Sequence, residues 1–150
     1  MRSPVNSTAS VRLLIADGQP RGRQSLEALL TALRWNPANG IAVSIEIVGE
    51  ANNGHSALEQ VRALRPDVVV LDLPTHEPSV PGGLGGGAEA DGLRTIQAIK
   101  QRWPAIRVVV LTLYATDRSA ILLSGADAFL LKGCSTGELL AAVMSGTVHS

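Results

Sequence analysis

An uninterrupted apolar run in the middle of the chain, residues 68–71, constrains the fold more than any other stretch. Its residues, Val-Val-Val-Leu, do not alternate with polar residues, which is typical of a strand covered on both faces. Such strands lie inside parallel sheets that carry helices on both sides. Asp72 follows the run directly, and Pro74 ends it. The sequence therefore predicts a carboxylate at the carboxyl end of a central strand, the edge of open α/β sheets where ligands bind.

Apolar, strand-like segments and amphipathic, helix-like segments alternate along the chain. The predicted strands cover residues 11–16, 41–48, 68–71, 106–111 and 128–131. The predicted helices cover residues 20–33, 54–65, 91–103, 116–124 and 136–144, the last opened by a capping box of Ser135 and Glu138. This order predicts an α/β fold, a doubly wound parallel sheet with helices on both faces and right-handed crossovers.

The length of 150 residues suits a single domain. We expect residues 1–10 to be a disordered lead, residues 11–146 to form the domain and residues 147–150 to be a tail. Residues 73–90 are rich in glycine and proline and are expected to form a long irregular loop. The sequence therefore predicts one domain with one loop insertion.

The charge balance and the cysteine content exclude several classes of protein. Thirteen basic and thirteen acidic residues give a formal net charge of zero, unlike the basic footprint of a nucleic-acid-binding protein. Cys134 is the single cysteine, which fits a reducing compartment. No signal-peptide pattern begins the chain, and no apolar stretch is long enough to span a bilayer. We expect a cytoplasmic protein whose segment binds neither a membrane nor nucleic acid directly.

Four chemically active side chains directly follow predicted strands. They are Asp17 after the first strand, Asp72 after the third, Thr112 after the fourth and Lys132 after the fifth. Because parallel strands end at one edge of a sheet, we expect these side chains to converge. The set suits phosphoryl transfer to a carboxylate, with Asp72 as nucleophile and a divalent cation held by Asp17 and Asp72. Lys132 would supply positive charge and Thr112 a hydrogen-bond donor.

Several stretches together resemble the receiver domain of two-component response regulators. They are residues 13–17 (LLIAD), 48–51 (VGEA), 65–73 (RPDVVVLDL), 91–93 (DGL), 109–112 (VVLT) and 125–132 (GADAFLLK). The pattern is most similar to receivers that precede a LuxR-type helix-turn-helix domain. The resemblance covers about residues 11–146 and implies a CheY-like, flavodoxin-like sheet with the strand order 2-1-3-4-5.

The resemblance implies a role for each side chain at the predicted edge. Asp72 matches the phosphoacceptor. Mg²⁺ is implied as the cofactor, held by Asp17, Asp72 and the backbone carbonyl of Pro74. Thr112 and Lys132 match the residues that contact the phosphoryl group.

The same resemblance implies a signalling switch rather than an enzyme. Phe129 matches an aromatic residue that moves inward with Thr112 on phosphorylation, although a core aromatic on the last strand explains Phe129 equally well. The movement reshapes the face formed by the predicted fourth helix, fifth strand and fifth helix. The implied partners are a histidine kinase or a histidine phosphotransfer protein as donor, and a second copy of the chain in a homodimer.

Three features depart from the family pattern. Gly18 stands where the family has a second metal-binding acid, so we expect weakened Mg²⁺ binding, with Glu77 or Glu89 as candidate substitutes. The predicted loop 73–90 is longer than the family's loop. No helix-turn-helix follows the last predicted helix, which fits either a stand-alone receiver or a piece of a longer protein.

Two other functions are alternatives to phosphorylation. A pseudo-receiver, a phosphorylation-independent interaction or dimerisation module, is favoured by Gly18 but disfavoured by the presence of Asp72, Thr112 and Lys132. Haloacid-dehalogenase-type phosphatases also place a nucleophilic Asp after an apolar strand. They need a second acid two residues later, where this chain has Pro74, which cannot transfer a proton.

Overall fold

The computed structural model describes five ranges of the chain, residues 9–17, 43–72, 86–112, 118–131 and 133–144. Their strands are β1 (Ala9–Ala16), β2 (Val43–Ala51), β3 (Val68–Asp72), β4 (Arg107–Thr112) and β5 (Ala128–Leu131). Their helices are α1 (Gly54–Leu64), α2 (Gly86–Arg102), α3 (Arg118–Leu123) and α4 (Thr136–Met144). The helix predicted over residues 20–33 lies outside the described ranges.

The five strands form one parallel sheet in the order β2-β1-β3-β4-β5. This confirms the predicted α/β fold class and the predicted strand order. β3 lies in the centre, and its residues Val68, Val69, Val70 and Leu71 are all buried. The apolar run is uninterrupted because helices cover both faces of this strand.

Two apolar cores lie on opposite faces of the sheet, because successive side chains of a strand point to opposite sides. One core joins the strands to α4 through Leu13, Ile15, Val68, Val70, Val109, Leu111, Leu139 and Val143. The other joins them to α1, α2 and α3 through Leu14, Val69, Leu71, Val108, Val110, Val61, Ile96, Ile99 and Ile121. Each fully buried Val, Leu or Ile side chain contributes about 1.5–3 kcal/mol, so packing on both faces holds the strands in register.

The long-loop prediction over residues 73–90 was wrong at its carboxyl end. α2 begins at Gly86, well before the predicted start at residue 91, so residues 86–90 are helical. Residues 88–90 are Ala-Glu-Ala, which favour a helix. The two glycines lie in the first turn, where they interrupt no helix interior. Residues 73–85 lie outside the described ranges.

Two strand boundaries also differ from the prediction. β1 begins at Ala9, inside the predicted disordered lead, because Ala9 and Ser10 pair with Val43 and Ser44 of β2. β2 continues to Ala51, past the predicted end at residue 48. In both cases the neighbouring strand supplies hydrogen bonds that extend the sheet beyond the apolar residues. Residues 1–8 and 145–150 lie outside the described ranges.

Side chains cap the amino-terminal ends of two helices. The Ser135 hydroxyl accepts the Glu138 N–H at 3.1 Å, and the Glu138 carboxylate accepts the Ser135 N–H at 3.1 Å, which confirms the capping box. At the start of α1 the Asn53 side chain accepts the Ser56 N–H at 2.8 Å. None of the helices in the described ranges is long and apolar enough to cross a membrane.

Two aspartates at the amino-terminal edge of the sheet tie neighbouring strands together. Asp67 precedes β3, and its Oδ2 accepts the backbone N–H of Arg12 in β1 at 2.9 Å. Asp127 precedes β5, and its Oδ2 accepts the backbone N–H of Val108 in β4 at 2.8 Å. Lys100 Nζ donates to the same Asp127 oxygen at 2.7 Å. Each carboxylate therefore accepts the N–H of the residue that directly precedes the first paired residue of the neighbouring strand.

We expect the Asp127→Ala substitution to lower the free energy of unfolding by about 1–3 kcal/mol, because it leaves the Val108 N–H without its acceptor and removes the carboxylate partner of the Lys100 ammonium. Urea denaturation followed by far-ultraviolet circular dichroism measures the change. The matched control is Glu59→Ala, which removes an exposed carboxylate 3.7 Å from His55 and should change the free energy by less than about 0.5 kcal/mol. Equal losses in the two variants would contradict this role of Asp127.

Candidate functional site

The carboxyl ends of three adjacent strands bring three of the predicted site residues to one edge of the sheet. In the register Ala16 pairs with Leu71, so Asp17 follows β1 at the level where Asp72 ends β3. Asp72 in turn pairs with Leu111, directly before Thr112 at the end of β4. Neighbouring parallel strands lie about 4.8 Å apart. Two carboxylates and a hydroxyl therefore share this edge.

The three side chains differ in their exposure to solvent. Asp17 is 6% exposed and Thr112 is 2% exposed, so both are buried. Asp72 is only partly buried. The backbone N–H of Asp17 donates to the Ala51 carbonyl at 2.9 Å, which fixes the end of β1 against β2. A reactant arriving from solvent therefore reaches Asp72 first, with Asp17 held beside it.

Phe129 lies on β5 beside the strand that carries Thr112. It pairs in register with Val110, two residues before Thr112, and it packs against the core formed with α1, α2 and α3. Val110 belongs to that core, and Thr112, two residues further along β4, lies on the same face of the sheet. Phe129 and Thr112 are thus diagonal neighbours on one face of the sheet. A movement of one side chain toward the sheet changes the space open to the other.

The donor set at the edge suits a hard divalent cation. Mg²⁺ prefers oxygen ligands and is commonly held by one or two carboxylates, with phosphate oxygens and waters completing its shell. Asp17 and Asp72 offer two carboxylates at neighbouring register positions. Across the ranges that the structure describes, no group of three or more His, Cys, Asp or Glu side chains is arranged to hold a metal. The residues present therefore fit Mg²⁺ with few protein ligands.

The remaining predicted site residues lie outside the described ranges. They are Gly18, Pro74, Glu77 and Lys132. The backbone of Glu89, predicted in the loop as a substitute metal ligand, lies in α2. The structure thus brings together Asp17, Asp72 and Thr112 and adds Phe129 on the neighbouring strand.

One polar residue at this edge escaped the sequence analysis. Asn52 follows Ala51, which pairs with Ala16, so Asn52 stands at the level of Asp17 on the β2 side. Its Oδ1 accepts a hydrogen bond from Asn53 Nδ2 at 3.0 Å. The predicted second strand ends at residue 48, and only the pairing of Ala51 with Ala16 places Asn52 at the level of Asp17.

Cys134 also lies near this edge, three residues after the end of β5. Burial raises the pKa of the Cys134 thiol above its usual value, and the Glu138 carboxylate raises it further. The helix that follows therefore does not activate this thiol.

We expect Cys134 to react with iodoacetamide more slowly than glutathione does at neutral pH. A raised pKa leaves a smaller thiolate fraction, and the thiolate is the reactive form. The alkylation rate is measured by intact-mass spectrometry across a pH series. The pH at which this rate is half of its maximum, the midpoint, should be higher for Cys134 than for glutathione. A lower midpoint would contradict the role of burial. Glu138→Gln should move the midpoint down, because it removes the neighbouring negative charge.

A second expectation concerns the metal. Asp17→Asn should weaken Mg²⁺ binding about tenfold or more, since one of two carboxylate ligands is lost. Isothermal titration calorimetry measures this binding without any phosphoryl donor. Glu59→Gln, an exposed acid on α1, should leave the affinity unchanged because it removes the same charge away from the edge. Loss of affinity in both variants would indicate a diffuse charge effect instead of a site.

The chain is similar to a well-populated family. It matches the family model of the response regulator receiver domain over residues 13–144. It is 31% identical over 101 residues to the response regulator protein VraR of Staphylococcus saprophyticus, covering 66% of this chain and 43% of that protein. It is 29% identical over 133 residues to the nitrate/nitrite response regulator protein NarL of Escherichia coli, covering 87% and 52%. The chain thus spans about half the length of the curated relatives it matches.

Solved structures agree with the family match. The signal receiver domain of a NarL response regulator from Mycobacterium tuberculosis aligns with a TM-score of 0.69 at 26% identity, covering 95% of this chain and 99% of that chain. The isolated REC domain of RcsB from Salmonella enterica serovar Typhimurium aligns with a TM-score of 0.69 at 20% identity, covering 94% and 91%. Because the identity to RcsB is only 20%, this second alignment shows a shared fold and nothing more.

Proposed function

The chain belongs to the family of response regulator receiver domains, and on this basis we propose that Asp72 accepts a phosphoryl group from a histidine kinase or a histidine phosphotransfer protein. The observation that carries the proposal is the register of the central strands. It sets Asp17, Asp72 and Thr112 at the ends of three neighbouring strands, with Asp72 the most exposed of the three. Family members are signalling modules of two-component systems, and we assign no separate enzymatic activity to this one.

The proposed reaction is nucleophilic displacement at phosphorus. An Asp72 carboxylate oxygen forms a bond to the phosphorus, the phosphorus–nitrogen bond of phosphohistidine breaks, and the imidazole leaves with a proton. The product is an acyl phosphate. Asp17 and Asp72 would hold Mg²⁺, which neutralises negative charge on the phosphoryl oxygens when it is bound. Lys132, which lies outside the described ranges, is assigned the same electrostatic task from the protein side.

Thr112 and Phe129 are the proposed switch. The phosphoryl group adds about 1.5–2 negative charges at neutral pH, and a hydroxyl can donate a hydrogen bond to it. Thr112 is buried at the end of β4 and sits diagonally from Phe129 on the same face. Inward movement of Thr112 toward the phosphoryl group would therefore free space for Phe129. Phosphorylation shifts the population only if the two states bind the phosphoryl group differently.

Exposed leucines on α3 and β5 support a partner face beside this switch. Leu122 and Leu123 on α3 are 42% and 87% exposed, and Leu131 at the end of β5 is 42% exposed. Exposed apolar surface is used in contacts between proteins. We propose that this face, next to Phe129 on β5, is reshaped by phosphorylation and used by a downstream partner or a second copy of the chain. We place the function in the cytoplasm.

The test is intact-mass analysis after incubation with acetyl phosphate, with and without Mg²⁺. We expect the wild-type chain to gain one phosphoryl mass in the presence of Mg²⁺, and Asp72→Asn to gain none. Asp67→Asn is a matched control, since it changes an aspartate at the opposite end of the same strand and should retain the gain. A chelator should abolish the wild-type gain because the phosphoryl charge is then uncompensated.

The second candidate, a pseudo-receiver that binds partners without phosphorylation, is favoured by Gly18 in place of an acid. The same experiment separates the two candidates. No mass gain at high Mg²⁺, with circular dichroism showing folded protein, would overturn the phosphoacceptor proposal and favour the pseudo-receiver. A gain at Asp67 or elsewhere in Asp72→Asn would also overturn it.

A further inference from the structure

The amino-terminal edge of the sheet, opposite Asp72, carries a concentration of exposed arginines. Arg62 lies in the last turn of α1 and Arg65 follows that helix, whereas Arg102 ends α2. All three arginines are exposed, and Trp103 lies half-buried among them. α1 and α2 pack on the same face of the sheet through Val61 and Ile99. We call these four residues, Arg62, Arg65, Arg102 and Trp103, the basic surface.

Backbone and ring contacts hold the basic surface in place. The Arg65 guanidinium lies 5.2 Å above the centroid of the Trp103 ring, a cation–π distance. Arg65 Nε donates to the Arg62 carbonyl at 3.1 Å, and the Arg65 carbonyl accepts from Arg12 Nη1 at 2.9 Å. Arg65 itself adopts a left-handed backbone conformation with φ of 48°. A long side chain fixed in this way loses less conformational entropy on binding a partner.

The carboxylates at this edge do not neutralise the basic surface. Asp67 accepts the backbone N–H of Arg12, and Asp127 is bound by Lys100 and the Val108 N–H. Within the described ranges, neither Arg62 nor Arg102 forms an ion pair. The positive charge of their guanidinium groups is therefore available to a partner.

A favourable interaction with helix dipoles explains only part of the clustering of these arginines. Basic residues near a helix C-terminus stabilise the helix, but α3 and α4 carry none in their last turns. The charge is concentrated on the two helices that lie side by side. Arg65, moreover, lies beyond the end of α1. The distribution thus marks one surface instead of a general feature of the helices.

We propose that the basic surface is a docking site for an acidic segment of a partner protein. Arginine binds carboxylates with paired hydrogen bonds, and arginine and tryptophan are enriched at the energetic centres of protein interfaces. Exposed Pro104 and Ala105 extend the apolar part beside Trp103. Protein is favoured over nucleic acid as the partner because the chain has a formal net charge of zero and a sequence pI of about 6.8.

The test is fluorescence anisotropy of a fluorescein-labelled oligoglutamate peptide titrated with the full chain. The double variant Arg62→Gln/Arg102→Gln should weaken binding about tenfold or more, because two charged donors are lost. The single variants Arg102→Gln and Arg94→Gln each remove one exposed arginine from the same helix. Arg102→Gln should weaken binding of the peptide, and Arg94→Gln should leave it nearly unchanged. Wild-type chain treated with acetyl phosphate and Mg²⁺ should bind the peptide as the untreated chain does, so this outcome is independent of phosphorylation.

Three outcomes would overturn the proposal. The first is no measurable binding of the peptide by the wild-type chain. The second is equal weakening in Arg94→Gln and in Arg102→Gln, which would indicate overall charge alone. The third is tighter binding of a random-sequence DNA duplex that the double variant also loses, which would assign the surface to nucleic acid. Circular dichroism of each variant verifies that the fold is retained.

Discussion

The parallel register of β1, β3 and β4 is the constraint on which the site depends. Ala16 pairs with Leu71, and Asp72 pairs with Leu111, so the three strands end at nearly one level. A shift of one residue in any of these strands would turn each of its side chains to the opposite face. The apolar cores on both faces resist such a shift, because it would expose buried valines and leucines. Apolar side chains that lie away from the edge thereby set the positions of Asp17, Asp72 and Thr112.

Much of this architecture could be predicted because its strongest signals are local. The apolar runs of β3 and β5 were predicted nearly to the residue, since apolar β-branched and aromatic residues bounded by turn residues have few other interpretations. The cap at Ser135 could also be predicted, because a capping side chain bonds to a backbone group only three residues away. The strand order required the family resemblance, since local patterns do not specify which strands pair.

What escaped prediction depends on contacts between distant parts of the chain. Ala9 and Ser10 are strand residues only because β2 lies beside them, and neither has a strong preference for a strand. The continuation of β2 through Gly49 and Glu50 has the same origin, and it alone brings Asn52 to the edge. At the site, two acids after similar apolar runs differ in exposure, and sequence patterns do not encode how deeply each lies under the neighbouring elements.

Parallel topology also divides the molecule into two edges of opposite chemistry. Helices α1 and α2 run antiparallel to the strands, so their basic C-terminal ends collect at the edge opposite Asp17 and Asp72. β3 has five residues, which separate the two edges by about 16 Å at about 3.3 Å per residue. That distance exceeds the Debye length of about 8 Å at physiological ionic strength. Charge added at Asp72 is therefore largely screened from Arg62 and Arg102, so a partner held at the basic surface stays bound whether or not Asp72 is phosphorylated. Any coupling between the edges has to pass through movement of the strands themselves, which the two apolar cores oppose.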